Sequence, residues 1–259
     1  MKKKHVSILI TNYNKQKFLK KSLTSCINQT YKNNEILLND DCSTDNSIDI
    51  INKFKKKIKL IINNKKKHSS APLNQINGIK ELTNFASGDI FFLLDSDDEF
   101  KKNKLEKICK FLKVNKNINF LQDLPFDKKT KTVSRLKKRS FNTSIWPRFY
   151  PTSTITIRKN FLKKFMKIDL PSKFPNLEID ARICIFAYLS NEFRIINKSY
   201  TIYNFDHLGI TSKYKKFRKN WWVKRLEAFR YMDYTSKKLN INFNKGPDYL
   251  ITRLINFFI

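Results

Sequence analysis

Short apolar runs alternate with longer amphipathic stretches through the first half of the chain, and this alternation limits the fold more than any other feature. "VSILI" at 6–10, "EILLN" at 35–39, "IKLII" at 58–62 and "DIFFLL" at 89–94 have the length and continuous hydrophobicity of buried strands. Between them lie segments of helical period. "KQKFLKKSLTSCIN" places Phe18, Leu19, Leu23, Cys26 and Ile27 on one face. "STDNSIDIINKF" turns Ile48, Ile51 and Phe54 inward, with Ser43 or Thr44 expected to cap the helix. Residues 72–86 read as a third helix, and Leu105, Ile108, Cys109 and Leu112 mark a fourth. Repeated strand–helix units predict an α/β fold: a mostly parallel sheet covered on both faces. Ligands of such sheets bind beyond the carboxyl ends of the strands. Residues 11–14, 40–45 and 95–99 each follow a strand and are expected to line one crevice.

The second half is less regular. Residues 123–150 read as a basic loop, "TSTITI" at 152–157 as a strand and "EIDARICIFAYLS" at 178–190 as a helix. "FRII" and "SYTIYNF" read as strands, and a basic, aromatic helix is expected over about 213–238. No internal repeat or clear linker is visible, so one domain with a C-terminal extension is expected.

With 53 Lys and Arg against 22 Asp and Glu, the formal charge is +31. The excess is mostly Lys spread along the chain, which fits a general compositional bias. It also fits attraction to anionic membrane, and less well the clustered footprint of a nucleic-acid binder. Cys26, Cys42, Cys109 and Cys184 have no metal-binding spacing and read as reduced thiols. The N-terminus lacks the apolar core of a signal peptide, and no segment is long and apolar enough to span a bilayer. A cytoplasmic location is expected, including the inner face of the cell membrane.

Against this cationic background, "FFLLDSDDEF" at 91–100 gathers four carboxylates at the end of one hydrophobic run. Buried carboxylates need a partner or a metal. Alternation places Asp95 and Asp97 on one side of an extended backbone, an arrangement suited to a hard cation such as Mg²⁺ or Mn²⁺ with substrate phosphates completing its shell. The plain structural alternative is an acidic turn with Asp98 as a helix cap. Asp40 and Asp41 end the second strand, either to accept hydrogen bonds from a base or ribose or to form a turn. Thr11 and Tyr13 follow the first strand, where a ring can stack on a nucleobase or simply close a loop.

Taken together, these segments resemble the family-2 glycosyltransferases of the GT-A type. "VSILITNYNKQKFLKKSLTSCINQTYKNNEILLNDDCSTDNS" follows that family's opening, and "ASGDIFFLLDSDDEF" its metal-binding motif. The likeness is specific to about residue 115. It implies a GT-A-like domain over 1–212, with a nucleotide-sugar half at 1–115 and an acceptor half at 116–212, followed by a helical basic extension at 213–259.

The resemblance also implies roles. Thr11, Tyr13 and Asp41 would contact the base, often uracil. Asp95 would face the ribose or sugar, and Asp97, with Asp98 nearby, would hold the divalent metal on the diphosphate. In "FPNLEIDARI", Glu178 aligns with the catalytic base and Asp180 is its rival, because Leu177-Glu178 replaces the commoner Glu-Asp. The plain alternative is a pair of acids favoured by a helix N-terminus. Trp146, Thr152 and Ser153 would line the acceptor side, and His207 would approach the diphosphate. Gln75 stands where an Arg is usual, and Cys42 replaces a Gly, so that turn is expected to differ.

The implied activity is metal-dependent, inverting transfer from a nucleoside diphosphate sugar, by resemblance a UDP-sugar, to a hydroxyl of a cell-surface glycan or lipid-linked saccharide. The C-terminal helix, which carries Trp221, Trp222, Phe229 and Tyr231 among its cations, is a candidate for peripheral membrane contact or for packing on the catalytic domain. Two other readings stand: a domain that binds nucleotide or glycan without catalysis, and a basic nucleic-acid-binding protein, for which no recognisable module is present.

Overall fold

The computed structural model describes residues 5–136, 147–204, 214–242 and 244–259. Its centre is a six-stranded sheet in the order β3-β2-β1-β4-β9-β6. These strands are β1 (Val6–Asn12), β2 (Asn34–Asp40), β3 (Lys59–Ile62), β4 (Ile90–Asp95), β6 (Phe120–Gln122) and β9 (Ile155–Arg158). The first four run parallel, with Ile8 opposite Ile36 and Phe92, while β9 runs antiparallel to both β4 and β6. A smaller sheet, β5-β10-β7-β8, joins β5 (Glu99–Phe100), β7 (Pro125–Asp127), β8 (Thr132–Val133) and β10 (Thr201–Tyr203).

Alternate residues of each strand feed two cores, as the pleat requires. Leu9, Leu37, Phe91 and Leu93 pack on α3 (Ala71–Phe85), α5 (Lys159–Ile168) and α6 (Ile179–Leu189). Ile8, Ile10, Leu38, Phe92 and Leu94 pack on the other side against α1 (Gln16–Ile27), α2 (Ser47–Asn52) and α4 (Lys104–Val114). Both sheet faces are thus covered, and the α/β arrangement expected from the sequence is observed. A third cluster, in which Phe174, Leu177 and Ile185 meet Ala228, Tyr231 and Met232, seats α7 (Lys219–Lys238) on α6. The last helix, α8 (Gly246–Phe258), lies against α7. Gly78 lets α3 approach the sheet, since a Cβ there would lie 2.6 Å from Asn39 Oδ1.

The departures are local. Residues 152–154 form a 3₁₀ turn, so the strand expected at 152–157 is confined to 155–158. "FRII" contributes only a bridge from Ile195 to Gln122, because Gln122 is the end of β6 and offers little edge beyond it. The segment expected as a loop holds β7 and β8, of which β7 pairs with the distant β10 and β8 pairs locally with β7. Helix α2 begins after Asn46, without a side-chain cap. Ser43 instead serves Asp40, accepting a bond from Asn12 and donating one to Asp40 at 2.7 Å.

Candidate active site at the carboxyl ends of the strands

The three segments after β1, β2 and β4 do meet. Thr11 is paired in register with Asn39 and with Asp95. Asp40 is fully buried and structural: it accepts bonds from Asn12 Nδ2 at 2.6 Å and from the Ser43 N–H at 2.9 Å. Asp41, the next residue, is only part-buried, and burial raises its pKa despite Asn63 and Lys66 nearby. Tyr13 is 39% exposed, and the Lys66 ammonium lies 3.7 Å from its ring centroid. Cys42 adopts φ 60°, so the turn keeps the left-handed conformation that a Gly would favour. Its thiol donates to the Asn63 carbonyl at 3.0 Å.

The acid cluster itself is a tight turn in which the Asp98 N–H bonds back to the Asp95 carbonyl. Gln75 donates to Asp95 Oδ1 at 2.7 Å, so the residue standing in the usual Arg position still reaches the cluster. Burial, with the charges of Asp97 and Asp180 added, pushes Asp95 up to about 7. Asp98 is pushed well above the ordinary range by burial and by Asp97 and Asp95. The Asn204 N–H donates to Asp98 Oδ1 at 2.8 Å, while Oδ2 is buried without a partner among the described residues. Asp97 is part-buried and pairs with Lys15 at 2.7 Å. Sequence reading did not single out Lys15, since only the fold brings the end of β1 beside the end of β4.

Thr152 and Ser153 lie beneath this turn. Ser153 is fully buried, and its hydroxyl accepts the Asp95 N–H at 3.0 Å, so it supports the acid turn from below. The Ser153 carbonyl accepts from Lys104 Nζ at 2.7 Å, and Lys104 forms a wholly buried pair with Asp123 at 2.8 Å. That pair, too, carries no local signal in the sequence. Trp146 and His207 lie outside the described residues.

Glu178 and Asp180 flank the start of α6 and differ sharply. Glu178 forms an ion pair with Lys224 of α7. Asp180 accepts the Ala181 N–H at 2.7 Å, and its charge is felt by Asp95 and by Tyr203. Burial and the Glu178 charge lift Asp180 to about 7. Leu177, the departure from the usual acid, is buried in the contact with α7.

Among the described residues no three His, Cys, Asp or Glu side chains gather to hold a metal by themselves. The donors present are hard carboxylate oxygens, one of them orphaned, with a Lys ammonium against another. Such a set fits a cation that brings further ligands with its substrate, as Mg²⁺ and Mn²⁺ do with phosphates.

The glycosyl transferase family 2 profile matches residues 7–170, and the chain belongs to that family. A Haemophilus influenzae protein described as an uncharacterized glycosyltransferase is 28% identical over 226 residues, covering 84% of this chain and 85% of that protein. The Escherichia coli UDP-Glc:alpha-D-GlcNAc-diphosphoundecaprenol beta-1,3-glucosyltransferase WfaP is 38% identical over 112 residues, 43% of this chain and 42% of WfaP. The structure of S. aureus TarS 1-349 in complex with UDP matches with a TM-score of 0.66 at 19% identity, covering 97% of this chain and 69% of that one. The likeness to TarS establishes the GT-A fold. The chain spans less than two thirds of several further relatives.

Proposed function

We propose that this glycosyltransferase moves a sugar from a UDP-sugar to a hydroxyl of a lipid-linked or cell-surface saccharide, with inversion and with help from a divalent metal. The observation that carries the reading is the cluster of Asp95, Asp97 and Asp98 at the mouth of the strand crevice, where burial and mutual charge raise Asp95 and Asp98 while Lys15 pairs with Asp97. In this assignment Thr11, Tyr13 and Asp41 receive the base, Asp95 the ribose or sugar, and Asp97 with Asp98 the metal. WfaP, whose name states a UDP-glucose donor and a diphosphoundecaprenol-linked acceptor, supports the donor and acceptor classes. When bound, Mn²⁺ or Mg²⁺ would offset charge on the departing diphosphate.

The chain's own residues do the remaining work. Asp180 is assigned as the base. It lies near Asp95 with a pKa of about 7, close to the pH at which a base is most effective. It takes the acceptor O–H proton as that oxygen attacks the anomeric carbon and the bond to the diphosphate oxygen breaks. Glu178, held by Lys224, orients the start of α6 instead. Gln75 and Ser153 fix Asp95, and Asn204 fixes Asp98.

Thermal shift with UDP and UDP-sugars, with and without Mn²⁺, tests the reading, because a ligand of the folded state raises its melting temperature. A Mn²⁺-dependent rise is expected, and Asp97→Asn should lose both that rise and sugar transfer. No stabilisation by any nucleotide sugar, or undiminished turnover in Asp97→Asn, would overturn it.

A further inference from the structure

We propose that the hairpin formed by α7 and α8 docks on an anionic lipid surface. Leu250, Ile251, Leu254, Phe257 and Phe258 are all exposed, Phe257 by 83% and Phe258 by 75%. At 100° per residue they fall in one stripe roughly 120° wide. The opposite face of α8 is taken up by α7. Thr252 Oγ1 accepts from Arg225 Nε at 2.9 Å, Asn256 donates to the Trp222 carbonyl at 3.0 Å, and Tyr249 packs edge-on to Phe229. The apolar stripe is therefore not the helix's seat in the fold. It is a second face, contiguous and, among the described residues, uncovered.

Charge identifies its occupant. Between residues 214 and 259 the chain has eleven Lys and Arg against three acids. All three acids are engaged: Glu227 by Asn176, Asp233 by Lys237 and Lys245, and Asp248 by Arg225. The cations include Arg253, beside the stripe, and Arg230, across a hollow of about 390 Å³ that Leu226, Leu250, Leu254 and Phe257 also line. Apolar side chains flanked by Arg230 and Arg253 match a membrane interface with anionic headgroups, where each basic residue near the surface adds about 1 kcal/mol. A second copy of a chain with net charge +31 would bring like charge to the same patch. Among the described residues no helix is long and apolar enough to cross a membrane, so the hairpin would lie on the surface.

The same hairpin grips the acceptor side. Glu227 accepts both the Asn176 N–H and its side-chain amide at 2.7 Å, and Lys224 pairs with Glu178. Docking would thus hold the start of α6 at a fixed height above the lipid. This gives the proposed lipid-linked acceptor a route to the site and rests on that reading for its purpose alone.

Co-sedimentation of the full chain with vesicles tests the docking independently of transfer. Strong binding is expected with about 30 mol % phosphatidylglycerol in phosphatidylcholine, little binding with phosphatidylcholine alone, and marked release at about 0.5 M salt. Leu254→Glu with Phe257→Glu should weaken binding at least about tenfold, by removing two exposed apolar side chains that docking would bury in lipid. Val114→Glu, a remote and exposed apolar site, should leave binding intact. Transfer to a soluble acceptor should survive all three changes. Equal binding by the double variant would reduce the interaction to diffuse charge and overturn the proposal. So would absent vesicle binding, or a dimer in light scattering that the double variant dissolves.

Discussion

The two ends of the central sheet treat their carboxylates in opposite ways. At the amino end of β2, Glu35 accepts bonds from Ser7 Oγ at 2.7 Å, from the Ser87 N–H at 2.6 Å and from Ser87 Oγ at 2.8 Å, and it pairs with Lys59 at 2.6 Å. Burial works against its charge, yet these donors bring its pKa down to about 2. At the carboxyl end of β4, Asp95 sits at about 7 and Asp98 well above its ordinary range, because burial and neighbouring acids outweigh the few donors. Both ends bury acids in the same scaffold, but only one provides enough donors. A fully satisfied carboxylate holds structure, whereas an under-satisfied one is kept ready for a cation or a proton.

The strongest attempt to break this contrast is Asp180→Asn. If the acid poised near neutrality is the base, transfer should fall by about 10²- to 10⁴-fold, with UDP-sugar affinity unchanged. Glu178→Gln should lose less than about tenfold, since its charge is already matched by Lys224. In the wild type, turnover should rise with pH through about 7 as Asp180 loses its proton. The reverse ranking of the two variants, measured in the same transfer assay, would return the role to Glu178.

Next in size is Lys104→Met. It leaves Asp123 buried and unpaired beneath the site, and should cost about 3–5 kcal/mol in denaturant unfolding. A cost below about 1 kcal/mol would show that the pair is not structural. The smallest effect is expected for Glu35→Gln, about 1–2 kcal/mol at pH 7 after allowance for screening. The sign follows from a folded pKa of about 2 against an ordinary 4.5. The stabilisation is present above about 4.5 and is lost as pH falls towards 2, so wild type and variant should converge in acid. Divergence there would put Glu35 in the same class as Asp95.

Much of this was legible in residue order. The strand runs, the helical faces and the carboxylate-rich turn after β4 stand where pattern placed them, because each depends on neighbours within a few positions. The cap expected at Ser43 failed for the opposite reason: its hydroxyl found Asp40 and Asn12 once β1 and β2 were paired. Ser153, expected at the acceptor, is buried under Asp95 because β9 pairs with β4 and delivers it there. Helix α5 escaped notice although its apolar residues Phe161, Leu162 and Phe165 are all buried.

Sequence alone determined a mostly parallel, doubly covered sheet and the place of its acids, since hydrophobic period and strand ends are local properties of the chain. Only tertiary structure decided which acids are matched and which are left wanting. Lys15 against Asp97, Lys224 against Glu178 and Lys104 against Asp123 are meetings of distant segments. The balance between desolvation and pairing that sets each carboxylate's charge exists only once those segments are packed together.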